Sequence, residues 1–379
     1  MNKTPILLAL AALFVLGACK GAPSSSPEGE FPIKLFTAGE LGVNTYRIPA
    51  IVAAKDGTLL AFCEARTKSH KDDGDIDLVV KRSTDGGLTW SESIMIWDDR
   101  DQCCSSPNPV VLSSGRILVA AGWKNMTTKL LYVQRKVVFF SDDNGLTWSA
   151  PHDITDQISD QAWLMNAIGP VHGIQLSQGP HKGRVVLPCY FKWLDDYRVW
   201  HGRSYLIYSD DEGMNWHRGA YGTYGGNECT VAELSNGDIM LNMREFKRFA
   251  DDTTYLAHRR LVAISPDGGE TLTPCTYDWG LKEPVCQGSL LRYMKGHRND
   301  DWLLFSNSDS EKARENLTVK LSKNGGKTWK VIYREPYRWG AYSDMAELPD
   351  GSVAIIYEAG EKNSREFLAF DIIPASAIK

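Results

Sequence analysis

The chain has 379 residues, with 42 lysines and arginines against 47 aspartates and glutamates, for a formal net charge of −5. Such mild acidity gives no support for a nucleic-acid partner or for charge-driven binding to an anionic membrane, so any anion site has to be a local cluster of arginines. The 33 glycines and 17 prolines interrupt every candidate helix, and no 3.6-residue apolar period lasts three turns, which excludes a helical bundle or solenoid.

At the N-terminus, Lys3 precedes an apolar run from Ile6 to Val15 that is too short to cross a membrane and reads as a secretory core. The Leu16-Gly17-Ala18-Cys19 sequence that follows resembles a bacterial lipobox. That resemblance implies a lipoprotein signal peptide over 1–18, lipid attachment at Cys19, and an exported protein anchored to a membrane on the periplasmic or cell-surface side. An ordinary cleaved signal peptide with a chance cysteine is the plainer alternative. Residues 19–30 are rich in Pro, Ser and Gly and read as a flexible tether. The remaining 31–379 show no second composition regime and form one large domain.

Within that domain one octet, Ser-x-Asp-x-Gly-x-Thr-Trp, recurs five times: Ser83–Trp90, Ser141–Trp148, Ser209–Trp216, Ser265–Leu272 and Ser322–Trp329. Self-similarity at a near-constant period marks a stacked supersecondary unit. A fainter repeat accompanies it. Six times an apolar run, a Gly-containing turn and a second apolar run follow one another, beginning with Ile48–Phe62 and ending with Met345–Glu358. Hairpin followed by octet predicts an all-β fold, a six-bladed β-propeller of four-stranded antiparallel blades. Phe31–Phe36 supplies the outer strand that the last blade lacks.

The octet reads as architecture: its Asp and Ser satisfy local N–H groups and its Trp packs beneath the turn. A calcium-loop reading fails for want of the downstream bidentate Glu. With Cys19 lipidated, seven cysteines remain, Cys103 and Cys104 adjacent, without metal-ligand spacing. No metal and no cofactor is expected, and cysteine pairing stays open.

Meander topology sorts the charged residues. If the first strand of each blade runs down and the second up, then first-strand starts, second-strand ends and the loops after them share the upper rim, while hairpin turns and octets share the lower. This brings Arg47, Arg66, Asp72, Asp73, Glu228, Arg244, Tyr342 and Glu358 to one mouth, joined by Arg314, which is expected to open the third strand of blade five. Arginines converging on a partly dry pocket repel one another unless an anion meets them, and their planar forks suit a carboxylate.

At these positions the chain resembles the bacterial exo-α-sialidases. The resemblance rests on Tyr46-Arg47-Ile48-Pro49, Glu64-Ala65-Arg66 with Asp72, His172-Gly173-Ile174-Gln175-Leu176, Asn227-Glu228-Cys229, Asn242-Met243-Arg244, Arg314-Glu315-Asn316-Leu317 and the octets, which match that family's Asp boxes. It implies hydrolysis of terminal sialic acid from glycoproteins, glycolipids and oligosaccharides. Arg47, Arg244 and Arg314 would hold the substrate carboxylate, with Glu358 orienting Arg47 and Arg66 helping near the sugar. Tyr342 would be the nucleophile, Glu228 its base and Asp72 the acid/base; Asp73 is one residue away, and the spacing from Arg66 favours Asp72. Sialylated glycans are the implied partners, and a monomer is expected. Alternatives on the same scaffold are a non-catalytic sialoglycan-binding propeller, a trans-sialidase, or a glycosidase for another 2-keto acid sugar. The rim loops Lys192–His201 and Trp123–Lys129 carry aromatics such as Trp193, Tyr197 and Trp200, which either face the leaving group or pack on each other.

Overall fold

A computed structural model of the chain describes residues 31–127, 134–246 and 256–379. The expected signal peptide, Cys19 and the expected tether lie outside the described residues, as does the end of the Trp123–Lys129 loop.

Six blades follow from the pairing. Blade one holds Thr45–Ala53, Leu59–Arg66, Ile76–Ser83 and Ile94–Trp97. Blade two holds Cys103–Val111, Ile117–Lys124, Gln134–Ser141 and His152–Asp153. These two form one continuous sheet through a single parallel bridge, Ile76 to Cys103. Blade three has an inner strand in two pieces, Met165–Ile168 and Ile174–Gln175, followed by Val185–Leu194, Trp200–Ser209 and His217–Tyr224. Blade four holds Gly226–Glu233, Ile239–Glu245, Arg259–Ser265 and Thr276–Lys282, and blade five Ser289–Arg292, Leu303–Ser308, Leu317–Ser322 and Lys330–Arg334. Blade six holds Trp339–Glu347, Val353–Gly360 and Phe367–Ile373, and Ile33–Thr37 completes it from the other end of the domain. A closed ring leaves few exposed sheet edges.

The apolar core is distributed between blades. Phe62 and Val80 of blade one meet Val119 and Phe139 of blade two, and Leu118 and Val138 meet Leu187 and Ile207 of blade three. The same holds around the ring to blade six, whose Ile356 and Phe370 close on Ile51 and Ala61 of blade one. Central strands buried on both faces therefore carry near-continuous apolar runs, as in the wholly buried Val353–Gly360.

The octets are tight local turns. In the first, Gly87 N–H donates to Ser83 Oγ at 2.8 Å, Thr89 N–H to Asp85 Oδ1 at 2.9 Å, and Trp90 Nε1–H to the Gly87 carbonyl at 3.0 Å. Gly87 has a φ of 95°, and a Cβ there would lie 2.3 Å from the Phe370 ring of blade six, so only glycine fits. Asn144 of the second octet donates to Asp56 in the hairpin turn of blade one at 2.7 Å, which places octets and hairpins on the same rim. The divergent copies keep the design: Asp267 still accepts from Thr271, and Asn324 accepts from Thr328 N–H at 3.0 Å.

One placement differs from expectation. Arg314 does not open the third strand of blade five, which begins at Leu317. Asn316 adopts a left-handed φ of 53° that interrupts the extended run, and Glu315 bridges to Trp339 of blade six instead.

Candidate active site

The inner strands of blades one, two, four and six each carry an irregularity near the upper rim, between Arg47 and Ala50, Ser105 and Asn108, Gly226 and Cys229, and Gly340 and Ser343. Such bulges re-aim side chains. Arg47, Glu228 and Tyr342 lie at three of them, which turns groups from three blades toward the axis.

Glu358, with no exposed surface, accepts two bonds from Arg47, Nε to Oε1 at 2.9 Å and Nη2 to Oε2 at 3.2 Å, and a third from Ile48 N–H at 3.1 Å. Burial opposes the Arg47 charge, but Glu358, Tyr342 and Asp72 more than offset it and raise the guanidinium above its ordinary value. Arg47 presents its remaining nitrogen, Nη1, to Asp72 Oδ1 at 3.1 Å. The same carboxylate oxygen accepts from Arg66 Nη1 at 2.8 Å. Partial desolvation by the surrounding cavity walls would raise Asp72, yet the two arginines hold it below the usual carboxylate range of 3.8. Its side chain is 79% exposed, reaching over the open mouth. Asp72, rather than Asp73, faces both guanidinium groups.

Across the axis the Tyr342 hydroxyl donates to Glu228 Oε1 at 2.6 Å. Arg244 Nη1 donates to Glu228 Oε2 and, at 3.3 Å, to the Tyr342 oxygen. Burial and then Glu228 push the phenol well above 10, with Arg244 and Arg314 pulling the other way. Burial likewise works against the Glu228 charge, but Arg244, the Tyr342 hydrogen bond and Arg314 hold it below 4.5. A protonated phenol is thus held against an ionised carboxylate. Arg47 and Arg314 flank the Tyr342 ring at 5.1 and 5.3 Å from its centroid. Arg314 has no ion pair among the described residues, and Arg244 Nε is buried without an acceptor. These arginines, Arg66, Asp72, Glu228 and Tyr342 line one cavity of about 310 Å³, with Glu358 behind Arg47.

Several contributors escaped the sequence reading. Glu64 is buried and accepts from Arg66 Nε at 2.9 Å and from Ser106 N–H at 2.8 Å, fixing Arg66. It lies two residues before Arg66 on one strand, so both point to the same face, and the period of two was the available signal. Asp344, fully buried, accepts from Ile51 N–H at 3.0 Å, His172 Nδ1 at 2.6 Å and Ser289 Oγ at 2.7 Å, tying blades one, three, five and six together on the axis. Arg365, Tyr190 and Lys136 also line the cavity. Nothing local in the sequence marks them.

Residues 57–355 match the BNR repeat-like domain family. A sialidase of Clostridium perfringens is 30% identical over 348 residues, 83% of this chain and 86% of that protein. The chain belongs to the sialidase family. Another member, a sialidase of Micromonospora viridifaciens, is 31% identical over 391 residues, which cover 93% of this chain but only 57% of the Micromonospora protein. Among solved sialidases, Hadza microbial sialidase Hz136 superposes with a TM-score of 0.78 at 28% identity, covering 92% of this chain and 69% of that one. The six-bladed ring and the family agree with the sequence reading.

Proposed function

We propose that the protein is a retaining exo-α-sialidase that releases terminal sialic acid from glycans, with Tyr342 as nucleophile. The observation that carries this is the Tyr342–Glu228 hydrogen bond at 2.6 Å beneath arginines that include, among the described residues, one with no ion pair and one with an orphaned buried N–H. Sialic acid bears its carboxylate on the anomeric carbon. Arg47, Arg244 and Arg314 converge as carboxylate-binding forks, and a carboxylate nucleophile would be repelled there, whereas a neutral phenol is not.

In the first step the Tyr342 oxygen bonds to the anomeric carbon as its proton passes to Glu228, and the bond to the leaving oxygen breaks as Asp72 donates a proton to it. In the second, Asp72 takes a proton from water as the water oxygen bonds to the same carbon. The bond to Tyr342 breaks as that bond forms, and Glu228 returns its proton to the phenolic oxygen. Two inversions give net retention. Asp72 must be protonated to begin, although Arg66 and Arg47 favour its ionised form. A substrate carboxylate beside Arg47 offsets part of the positive field on Asp72, and the leaving sugar excludes water from it, so binding itself raises Asp72 toward its acid form.

The test is Tyr342→Phe on a fluorogenic aryl sialoside. Turnover is expected to fall by about 10³-fold or more while a 2,3-didehydro sialic-acid analogue still binds. Unchanged turnover would remove Tyr342 from the mechanism. Retained binding by a wild type that releases no product would instead make the protein a sialoglycan binder, and NMR of the products separates hydrolysis from transfer.

A further inference from the structure

Arg47, Arg66 and Arg244 are each fixed through the guanidinium group, by Glu358, Glu64 and Glu228. Arg314 has no such carboxylate among the described residues, so its place depends on the backbone of the 309–316 loop that carries it. Two bonds hold that loop. At its base Asp309 N–H donates to the Asn316 carbonyl at 3.0 Å, and along its side Gly340 N–H of blade six donates to the Arg314 carbonyl at 3.1 Å.

Glu335, the residue after the outer strand Lys330–Arg334, stands where these fastenings meet. Its N–H donates to the Leu317 carbonyl at 3.1 Å and its Oε1 accepts from Leu317 N–H at 3.2 Å, so it grips the first residue after the loop twice. The carboxyl also lies against Gly340, where an added Cβ would collide with it. One side chain therefore joins the end of the loop to the strand that holds the Arg314 carbonyl. Glu335 is 5% exposed, its Oε2 is buried with no hydrogen bond, and no cation pairs with it among the described residues. The ionisable groups facing it are Glu361, Tyr337 and Tyr357, none of which supplies a positive charge. Burial raises the carboxyl from 4.5 to about 8, with the Leu317 N–H opposing and Glu361 adding to the rise. As a neutral acid the group fills this gap at the cost of one unmade bond. As a carboxylate it is an unpaired buried charge, which draws in water or swings out.

We propose, resting on the assignment of Arg314 to the substrate carboxylate, that Glu335 is a positioning residue: wedged as a neutral acid between Leu317 and Gly340, it holds the Arg314 loop at the cavity, and its ionisation frees the loop and weakens binding of the sugar. Affinity is then held below about pH 8 and falls as pH rises through that value, in the sense opposite to a carboxylate that works ionised.

The experiment measures the affinity of a 2,3-didehydro sialic-acid analogue from about pH 6 to about pH 9.5 in the full chain as wild type, Glu335→Gln, Glu335→Ala and Arg314→Ala, with folding verified by thermal unfolding. The wild-type Kd is expected to rise about three- to tenfold as pH passes through about 8. Glu335→Gln keeps the wedge but cannot ionise, so it should retain the wild-type affinity at low pH and lose this step. Glu335→Ala should bind about tenfold more weakly at low pH. Lys136, which burial and then Lys124 bring down to about 7, also lines the cavity, but its titration is common to all four proteins, so the difference between wild type and Glu335→Gln isolates Glu335. A step that survives in Glu335→Gln overturns the inference, and that comparison decides alone if Glu335→Ala does not fold. A folded Glu335→Ala with wild-type affinity, beside a weakened Arg314→Ala, overturns the role of Glu335 and keeps that of Arg314. Unchanged affinity in Arg314→Ala overturns the assignment on which the inference rests.

Discussion

The two rims of the propeller hold their charges by opposite means. On the lower rim Asp85, Asp143, Asp211 and Asp267 are bonded to hydroxyl, amide and backbone groups at most four residues away. On the upper rim Arg47 reaches Glu358 across 311 residues and Tyr342 reaches Glu228 across 114. The lower set completes its bonds once a turn forms, at small individual benefit and in contact with water. The upper set exists only when the ring closes, and it keeps guanidinium and carboxylate groups buried, where mutual compensation is obligatory. Local satisfaction gives a scaffold; long-range, incomplete satisfaction leaves donors for a ligand.

That contrast breaks most sharply at Asp72. Asp72→Asn is expected to lower kcat about 10²- to 10⁴-fold on sialyllactose, whose leaving oxygen needs a proton, and much less on an aryl sialoside with an acidic leaving group. In the wild type, the arginines depress Asp72 in the free enzyme and the substrate relieves this. The basic limb of the kcat profile should therefore lie at higher pH than that of kcat/KM. Coincident limbs, or equal losses on both substrates, would remove Asp72 as the acid.

Glu358→Gln tests the compensation itself. It strips the buried Arg47 of its bidentate partner and should destabilise the fold by about 3 kcal/mol, the low end for a broken buried pair because Asp72 remains, while raising KM. Chemical denaturation with unchanged midpoint would show that the pair is dispensable for stability.

The smallest effect belongs to the lower rim. Asp143→Ala should cost about 1 kcal/mol and leave kcat and KM untouched. Burial opposes the Asp143 charge, but bonds from Thr147 and Ser141 lower this carboxyl from 3.8 to about 2. A depressed folded-state value contributes stability above pH 3.8 that is lost as pH falls toward 2, so the difference between wild type and Asp143→Ala should shrink over that interval. A kinetic defect in this variant would contradict the division between the rims.

The same division explains what was legible in the chain. Hairpins, octets and the completing strand at Ile33–Thr37 could be read because turn chemistry and strand alternation are encoded within about ten residues. Arg47, Arg244, Tyr342, Glu228, Asp72 and Glu358 could be sorted to one rim by the meander, and the structure brings them together there. Topology could not show that Arg314 stands in a loop, because a left-handed Asn316 stops the strand short. Nor could it single out Glu64, Lys136 or Asp344, whose surroundings are assembled from several blades.

By itself the sequence determined the repeat, the blade count and the residue types available at each rim, since these depend on short-range periodicity and turn geometry. Only the tertiary structure decided which of them touch: which carboxylate meets which guanidinium, which donors stay unsatisfied, and what the far wall of the cavity is made of. Bulges of a residue or two re-aim side chains by ångströms, and ring closure then places them against partners hundreds of positions away, a geometry no local pattern encodes.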